Sequence, residues 1–388
     1  MKLAAILIPY TFLIGACIGS FLNVVIYRLP RGKSLSKPRS FCPSCGKSIP
    51  FYLNIPILSW LMLRGKCRYC KIAISPRYII IEAITGFAFA GLFYCYFVAN
   101  TRLVGSENSI RAFLDGHWWI YVSHAILVAA FIAASAIDLE LWIIPLSLCW
   151  FVTATGVVFS TISGYFVSPD ILAVTAWVPL ASAKTAAIAV GSAVGLLTSL
   201  VLLKKGLVRQ SYEGLDEAIE DQLENETDKH IEEPEFNDRV EMLKEIIFLL
   251  PVAAGALAAY LVLKDNQTWH GFCDNIYVKS FTGSLYGYFI GCATVWITRI
   301  LGTLSFGREA MGLGDVHLMG AAGAIIGAAA VTTAFFIAPF FGLMWALLGM
   351  FSKKSREIPY GPFLSLAVFL VMIFQDAFMQ RLHEMFGF

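Results

Sequence analysis

Residues 316–352 read VHLMGAAGAIIGAAAVTTAFFIAPFFGLMWALLGMFS, a run of 37 residues without Asp, Glu, Lys or Arg. As a single α-helix the run would be about 55 Å long, at 1.5 Å per residue. A bilayer core about 30 Å thick needs only about 20 apolar residues. The run therefore predicts a tight hairpin of two membrane-spanning helices.

Other uncharged runs of the same order predict eight more spans, which makes ten. Nine or eight spans remain possible, because the runs 141–169 and 316–352 are hard to divide. The predicted fold class is an all-α polytopic membrane helical bundle with a small cytoplasmic four-cysteine zinc loop. The eight additional runs are 3–27, 83–101, 116–137, 141–169, 185–203, 246–263, 280–298 and 358–375.

The overall composition agrees with a membrane protein. Of the 388 residues, 58% are hydrophobic and 14% are charged, and the mean hydropathy is +0.70. Soluble proteins carry about 25% charged residues. Most soluble folds, disordered chains, collagens and disulfide scaffolds are thus excluded. We expect the lipid bilayer as a partner and no nucleic acid.

The distribution of Lys and Arg predicts the orientation. Segment 28–79 carries eleven of them and no Asp or Glu, so it should face the cytoplasm. Alternating spans then bring Asp138, Lys204 and Lys353 to the same side. Arg299 and Arg308, which follow the run 280–298, should also lie there.

Two cysteine pairs in this basic loop predict a metal site. They are Cys42-Pro-Ser-Cys45 and Cys67-Arg-Tyr-Cys70. Two such knuckles present four thiolates to one cation, typical of a closed structural zinc site. The flanking Lys and Arg residues favour the thiolate form. Disulfides are the rival interpretation, which the predicted cytoplasmic side disfavours.

Two aspartates lie at predicted membrane boundaries, where carboxylates are costly and suggest function. Asp138 ends an apolar run, and Asp315 ends the tetrapeptide Gly312-Leu-Gly314-Asp315. Two neighbouring carboxylates can share a proton and act as general base and general acid, which is the chemistry of aspartyl proteolysis. Alternatively, Asp138 caps a turn and Asp315 is a helix N-cap.

Several ordered motifs together resemble the type IV prepilin peptidases, bacterial leader peptidases of pilus and type II secretion systems. The resemblance covers nearly the whole chain. Its pieces are 19–30 (GSFLNVVIYRLP), the two cysteine pairs, 54–60 (NIPILSW), 63–67 (LRGKC), 74–78 (ISPRY), Glu82, Thr85-Gly86, Ile137-Asp138, Pro145, 308–316 (REAMGLGDV) and 358–363 (IPYGPF).

The resemblance implies a membrane aspartyl protease of the GxGD type. Asp138 and Asp315 would form the catalytic pair, and Gly312 and Gly314 the active-site loop. The enzyme would cleave the leader of prepilin or pseudopilin precursors at the cytoplasmic face of the bacterial inner membrane. It would then methylate the new N-terminal amine with S-adenosylmethionine. Glu82 would contact the substrate amine or this cofactor, or it pairs with Arg77.

Some positions depart from the family pattern. Glu140 replaces a second Asp, and Leu146 replaces a polar residue. His317 replaces a Lys, and we expect it to pack at the interface. The largest departure is an insertion at 204–245 with 14 acidic and six basic residues. We favour a solvated linker over a docking segment for basic partners.

The expected organisation follows from these features. It comprises a first transmembrane helix (1–27), the zinc loop (28–81), helices with the first aspartate (82–203), the acidic insertion (204–245) and helices with the GxGD motif (246–388). Two rival functions remain. One is a peptidase without methyltransferase activity, with a scaffolding zinc loop. The other is a transporter, which the scarcity of charge at mid-depth in most spans disfavours.

Overall fold

Helices dominate the computed structural model, which describes residues 2–102, 109–174, 177–212, 236–349 and 359–386. Across these ranges there is no β-strand, only two isolated bridges in the cysteine loop. The α-helices are α1 (Lys2–Arg28), α2 (Leu58–Met62), α3 (Arg77–Phe97), α4 (Ser109–Ala112), α5 (Trp118–Leu141), α6 (Leu146–Phe166), α7 (Pro169–Val174), α8 (Ala183–Lys204), α9 (Asp238–Leu263), α10 (Gln267–Cys273), α11 (Ile276–Phe306), α12 (Leu313–Ile326), α13 (Ala328–Gly349) and α14 (Gly361–Phe386).

The expected helical membrane fold is confirmed. In the described ranges, nine helices are long and apolar enough to cross a bilayer, and α12 is a shorter apolar helix. The predicted hairpin breaks at Gly327, whose φ of 84° suits glycine. Because α12 has only 14 residues, it is about 21 Å long. The tenth predicted span is therefore too short to cross the core alone.

The chain divides into two compact units, Met1–Pro145 and Leu146–Phe388. In the first unit, α1 packs along α3, and α5 contacts both. Glycines bring the first two backbones together, since a Cβ on Gly15 would lie 2.7 Å from the Thr85 carbonyl oxygen. Gly15 and Gly19 are spaced as in the small-residue motif of membrane helix pairs.

The second unit is held by two helix pairs of the same kind. α8 packs on α9 and α11 packs on α12, while α6 contacts both α11 and α12. A Cβ on Gly287 of α11 would lie 2.0 Å from the Gly323 carbonyl oxygen of α12. The contact fixes α12, which carries Asp315, against the longest helix of the unit.

Two helix boundaries differ from the uncharged runs. α3 begins at Arg77 and not near residue 83, so Glu82 lies inside the helix. α11 continues to Phe306, so Arg299 lies within the helix and is 1% exposed. Arg299 is therefore not a loop cation, and its charge is neutralised by the buried carboxylate of Glu245.

Some sequence features lie outside the described residues. They include residues 213–235, which are most of the acidic insertion. The basic cluster at Lys353, Lys354 and Arg356 is also outside them.

Candidate active site and metal centre

The two cysteine knuckles repeat the same backbone geometry 25 residues apart. The Cys42 N–H donates to the Lys47 carbonyl at 3.0 Å, and the Cys67 N–H donates to the Ile72 carbonyl at 2.8 Å. Gly46 and Lys71 occupy equivalent positions with φ of 67° and 63°. Each knuckle is therefore a tight turn that points two thiols the same way.

The four thiols converge on one point. The Sγ atoms of Cys42, Cys45, Cys67 and Cys70 all lie within 4.8 Å of one another. Cys42 Sγ and Cys70 Sγ are 3.8 Å apart. A tetrahedral site with Zn–S bonds of about 2.3 Å has sulfur–sulfur edges of about 3.8 Å. The donor set and its spacing thus fit a closed four-thiolate metal site.

Backbone N–H groups set the ionisation of these thiols. The N–H groups of Cys70 and Tyr69 lower the pKa of Cys67 to about 6, and those of Cys45 and Ser44 lower the pKa of Cys42. At Cys70, the Ile72 N–H favours the thiolate, but desolvation and the neighbouring thiols outweigh it and raise the pKa to about 11. A bound cation would favour thiolates at all four positions.

Lys47 and Arg68, which flank the cysteines and were expected to favour the thiolate form, lie over aromatic rings. Lys47 lies over the Tyr69 ring, with Nζ 4.9 Å from the centroid. Arg68 lies over the Tyr52 ring at 5.9 Å. These contacts brace the surface of the loop, while backbone N–H groups are the larger influence on the thiols.

Asp138 lies in the last turn of α5 and is 6% exposed. Its backbone carbonyl accepts the Trp142 N–H at 3.0 Å, and Trp142 ends the helix with φ of 59°. The backbone carbonyl of Asp138 thus closes the turn that ends α5. A buried carboxylate loses its hydration, which costs free energy unless hydrogen bonds or an opposite charge replace the water.

Asp315 lies in the first turn of α12 and is 7% exposed. Gly312, not Asp315, is the N-cap residue, so the alternative of Asp315 as N-cap is not what the structure shows. A Cβ on Gly312 would lie 3.7 Å from Asp315 Oδ2. Because Gly312 has no side chain, residue 312 does not cover this side of the Asp315 carboxylate.

Two further residues lie near Asp315 in the second unit. The His317 ring packs against the Trp150 ring, with centroids 6.2 Å apart, as expected for a packing role. Tyr360 belongs to the motif at 358–363, to which the sequence assigned no role. Burial, and secondarily the Asp315 charge, raises the pKa of Tyr360 to about 12.

Glu82 is buried in α3 and bonded to the cysteine loop. Its Oε2 accepts the Ile57 N–H at 2.7 Å, and the Ser20 hydroxyl of α1 also bonds to it. The suggested Arg77–Glu82 pair is wrong, because Arg77 pairs with Glu140. Arg77 and Glu140 are both partly exposed, whereas Glu82 lies deeper between α1 and α3.

Sequence reasoning missed Asn23 and Ile57 as individual residues. Asn23 of α1 is 3% exposed, and its Nδ2 donates to the Tyr78 carbonyl of α3 at 3.1 Å. The only available signal was an amide inside an apolar run. Ile57 has φ of 64°, and its residue type gives no indication of this conformation.

Asp138 and Asp315 belong to different compact units of the chain. The metal-site cysteines and Glu82 lie in the first unit, with Asp138. Gly312, Gly314 and Tyr360 lie in the second, with Asp315. The predicted Gly312–Gly314 loop is in fact a helix start, because Gly312 is the N-cap of α12 and Gly314 lies in its first turn.

Comparison with known families identifies both parts of the chain. The bacterial peptidase A24 N-terminal domain matches residues 13–96, and the type IV leader peptidase family matches residues 245–347. The first match spans the cysteine loop and Glu82, and the second contains Asp315. No solved structure matches the chain.

Several curated proteins are similar to the chain. A prepilin leader peptidase/N-methyltransferase of Neisseria gonorrhoeae is 31% identical over 223 residues, covering 51% of this chain and 67% of that protein. One of Myxococcus xanthus is 42% identical over 141 residues, 36% of each chain. A type 4 prepilin-like proteins leader peptide-processing enzyme of Escherichia coli is 40% identical over 144 residues, 32% of this chain and 46% of that enzyme.

The chain is thus a multi-helix membrane protein with a peptidase A24 N-terminal domain and a type IV leader peptidase region. The chain belongs to the prepilin leader peptidase/N-methyltransferase family. It spans about a third to two thirds of the length of the three relatives named.

Proposed function

We propose that the protein cleaves the leader peptide of type IV prepilins and pseudopilins, using Asp138 and Asp315, at the cytoplasmic face of the bacterial inner membrane. The observation that carries this proposal is the burial of two carboxylates at the ends of apolar helices, Asp138 at 6% exposure and Asp315 at 7%. Buried acids in a membrane protein suggest a function by default. Family membership indicates leader peptides as the substrate class.

The two aspartates would share one proton in the resting enzyme, because two neighbouring carboxylates do not ionise together easily. The ionised one takes a proton from water, whose oxygen attacks the scissile carbonyl carbon. The protonated one donates to the carbonyl oxygen. The carbon–nitrogen bond then breaks as the leaving amine takes the proton from the first carboxyl, while a hydroxyl of the tetrahedral intermediate returns a proton to the second, so both carboxyls regain their starting state.

We further propose N-methylation of the newly formed amine, with S-adenosylmethionine supplying the methyl group. The methylation and its methyl donor are both proposed from the names of the relatives. We propose that Glu82 binds the newly formed amine of the substrate. Its carboxylate accepts bonds from Ile57 and Ser20, and a carboxylate has about four acceptor sites, so it retains the capacity to accept a proton or an N–H.

The cysteine loop would hold zinc in a structural role. Four Cys ligands leave no open coordination position, so the metal would not bind substrate. A peptidase without methyltransferase activity is the second candidate. The observation that favours it is the Glu82–Ile57 bond, which shows that Glu82 already anchors the loop.

Purified protein incubated with a prepilin peptide, with and without S-adenosylmethionine, tests the proposal by mass spectrometry of the products. We expect cleavage followed by a gain of one methyl group. Asp138→Asn and Asp315→Asn should each lower cleavage by at least about 10³-fold while the protein still accumulates in membranes. Cys67→Ser should lose bound zinc, measured by elemental analysis.

The control variant is Asp265→Asn, which removes an exposed carboxylate near Lys264 and should cleave normally. Cleavage without methylation selects the second candidate. Normal cleavage by either active-site variant overturns the aspartate pair. No product from wild-type protein overturns the function as a whole.

A further inference from the structure

The second unit contains a buried ion pair that the proposed chemistry does not use. Arg299 of α11 and Glu245 of α9 have side chains 1% and 4% exposed. Arg299 Nη2 donates to Glu245 Oε1 at 3.0 Å, and Arg299 Nε lies 3.2 Å from both carboxylate oxygens. A buried charge pair is costly unless its geometry is good, and this one is a two-pronged contact of the strong kind.

The remaining prong of Arg299 reaches the loop before Asp315. Its Nη1 donates to the Glu309 carboxylate and to the Met311 backbone carbonyl. Met311 directly precedes the Gly312-Leu-Gly314-Asp315 tetrapeptide. One planar guanidinium therefore joins α9, through Glu245, to the residue before the N-cap of α12, the helix whose first turn contains Asp315.

The loop is also folded back onto the end of α11. The Ala310 N–H donates to Thr303 Oγ1 at 3.1 Å. A Cβ on Gly302 would lie 2.6 Å from the Ala310 Cβ, so the loop packs closely on the helix. Thr303 is fully buried, which makes this bond hard to replace with water.

Glu245 is itself held by several groups. Trp296 Nε1 donates to its Oε2 at 2.6 Å, and Ser211 Oγ donates to Oε1 at 3.4 Å. The Tyr212 ring lies under the guanidinium, with its centroid 5.5 Å from Arg299 Cζ. The Tyr212 N–H and hydroxyl bond to Glu241 and Asp238 at the start of α9. Tyr212 and Glu245, which lie on either side of residues 213–235, thus both contact Arg299.

We propose that Arg299, fixed by Glu245, is a positioning residue that sets the place of Asp315 by holding the Met311 carbonyl. The inference rests on the proposed function for its catalytic readout, but its structural readout does not depend on that function. Gly312 is the N-cap of α12 and Gly314 lies in its first turn, and glycine loses more conformational freedom on folding than other residues do. The bond from Arg299 to the Met311 carbonyl, called the clamp below, restrains the backbone just before Gly312. This restraint matters because a small misplacement of a reacting group lowers the rate strongly.

Glu245→Gln tests the clamp while keeping the volume of the side chain. We expect kcat for leader cleavage to fall by about 10- to 100-fold, with KM within about threefold of wild type. Hydrogen exchange in the peptide that contains residues 307–312 should rise by about tenfold. Exchange in α3, which belongs to the other compact unit of the chain, should stay unchanged.

Thr303→Val is the second variant, because removal of a buried carboxylate can also impair folding. It deletes only the hydroxyl that accepts the Ala310 N–H, so it should produce the same local exchange with a smaller loss of kcat. Arg299→Lys should behave like Glu245→Gln, since one ammonium group cannot replace the planar guanidinium that bonds to both Glu245 and the Met311 carbonyl. Glu384→Gln, in the exposed pair with Arg381, is the matched control and should change neither readout.

Unchanged exchange at 307–312 in folded Glu245→Gln and Thr303→Val overturns the proposal, as does a fall in kcat/KM that comes from KM alone. Asp315→Asn separates this inference from the proposed function. It should be inactive and yet keep the slow exchange of the loop. If wild-type protein cleaves nothing, the exchange comparison still decides whether Arg299 holds the loop.

Discussion

Ile57 is held in a backbone conformation that β-branched residues rarely adopt. With φ of 64° and ψ of −54° it occupies the centre of a γ-turn, which the Leu58 N–H closes on the Pro56 carbonyl at 2.6 Å. Such a turn costs on the order of 1–3 kcal/mol. The Ile57 N–H donates to the buried Glu82 carboxylate, and a hydrogen bond to a charged group contributes about 1.5–3 kcal/mol. The two terms are of similar size, so Glu82 stabilises the turn.

Glu82→Gln separates anchoring from chemistry at this position. The amide oxygen still accepts the Ile57 N–H, but it cannot take up a proton from an amine. We expect methylation to fall by at least about 10²-fold and leader cleavage to stay within about twofold, both measured on one peptide by mass spectrometry. Glu140→Gln, which breaks the partly exposed pair with Arg77, is the control and should methylate normally. Equal loss of cleavage and methylation would show that Glu82 acts only as an anchor.

Helix pairs in both units meet through glycines placed four residues apart. Gly287 of α11 and Gly323 of α12 face each other so closely that a Cβ on either would lie within 2.1 Å of a carbonyl oxygen. Apolar side chains gain little from facing protein instead of lipid, so close backbone packing supplies much of the attraction. The orientation of α12, and with it Asp315, therefore depends on this contact.

Gly287→Ala should lower the free energy of unfolding by about 1–3 kcal/mol, since backbone atoms cannot move aside as a flexible side chain would. Gly91→Ala is the matched control. A Cβ at Gly91 of α3 meets nothing within 4 Å, and alanine is the better helix former by about 1 kcal/mol. Thermal unfolding in detergent should show a lower midpoint for Gly287→Ala and an equal or higher one for Gly91→Ala. Equal shifts in the two variants would exclude close packing as the cause.

The helices could be predicted from the sequence because the bilayer demands uncharged runs of a fixed length. The four-thiol cluster could also be predicted, since Cys spacing within each knuckle is a local property. The partners of Glu82 and Arg299 could not. Arg299 looked like a loop cation because its neutralising group, Glu245, is 54 positions away in the sequence. Pairings of this kind depend on tertiary packing, which a single sequence does not display.

The near-neutral charge of the whole molecule hides two unlike parts. The total is +2, but residues 213–235 carry eleven acidic residues and one basic residue. Without that segment the net charge is 28 − 16 = +12. The Tyr212 and Phe236 rings on either side of it lie 5.2 Å apart. The residues on either side of the segment thus contact each other.

Replacement of residues 213–235 by a linker of about four Gly and Ser residues should leave the fold intact. The Tyr212 bonds to Glu241 and Asp238 hold both flanks in place, so the shorter loop need not pull on α9. We expect the thermal midpoint to shift by less than about 2 °C and kcat for leader cleavage to stay within about twofold. A loss of kcat with faster exchange at 307–312 would instead mean that the segment is needed to seat Glu245 against Arg299. An increase in KM that appears only with basic leader peptides, and disappears at high salt, would show that the acidic segment recruits substrate and is not a passive linker.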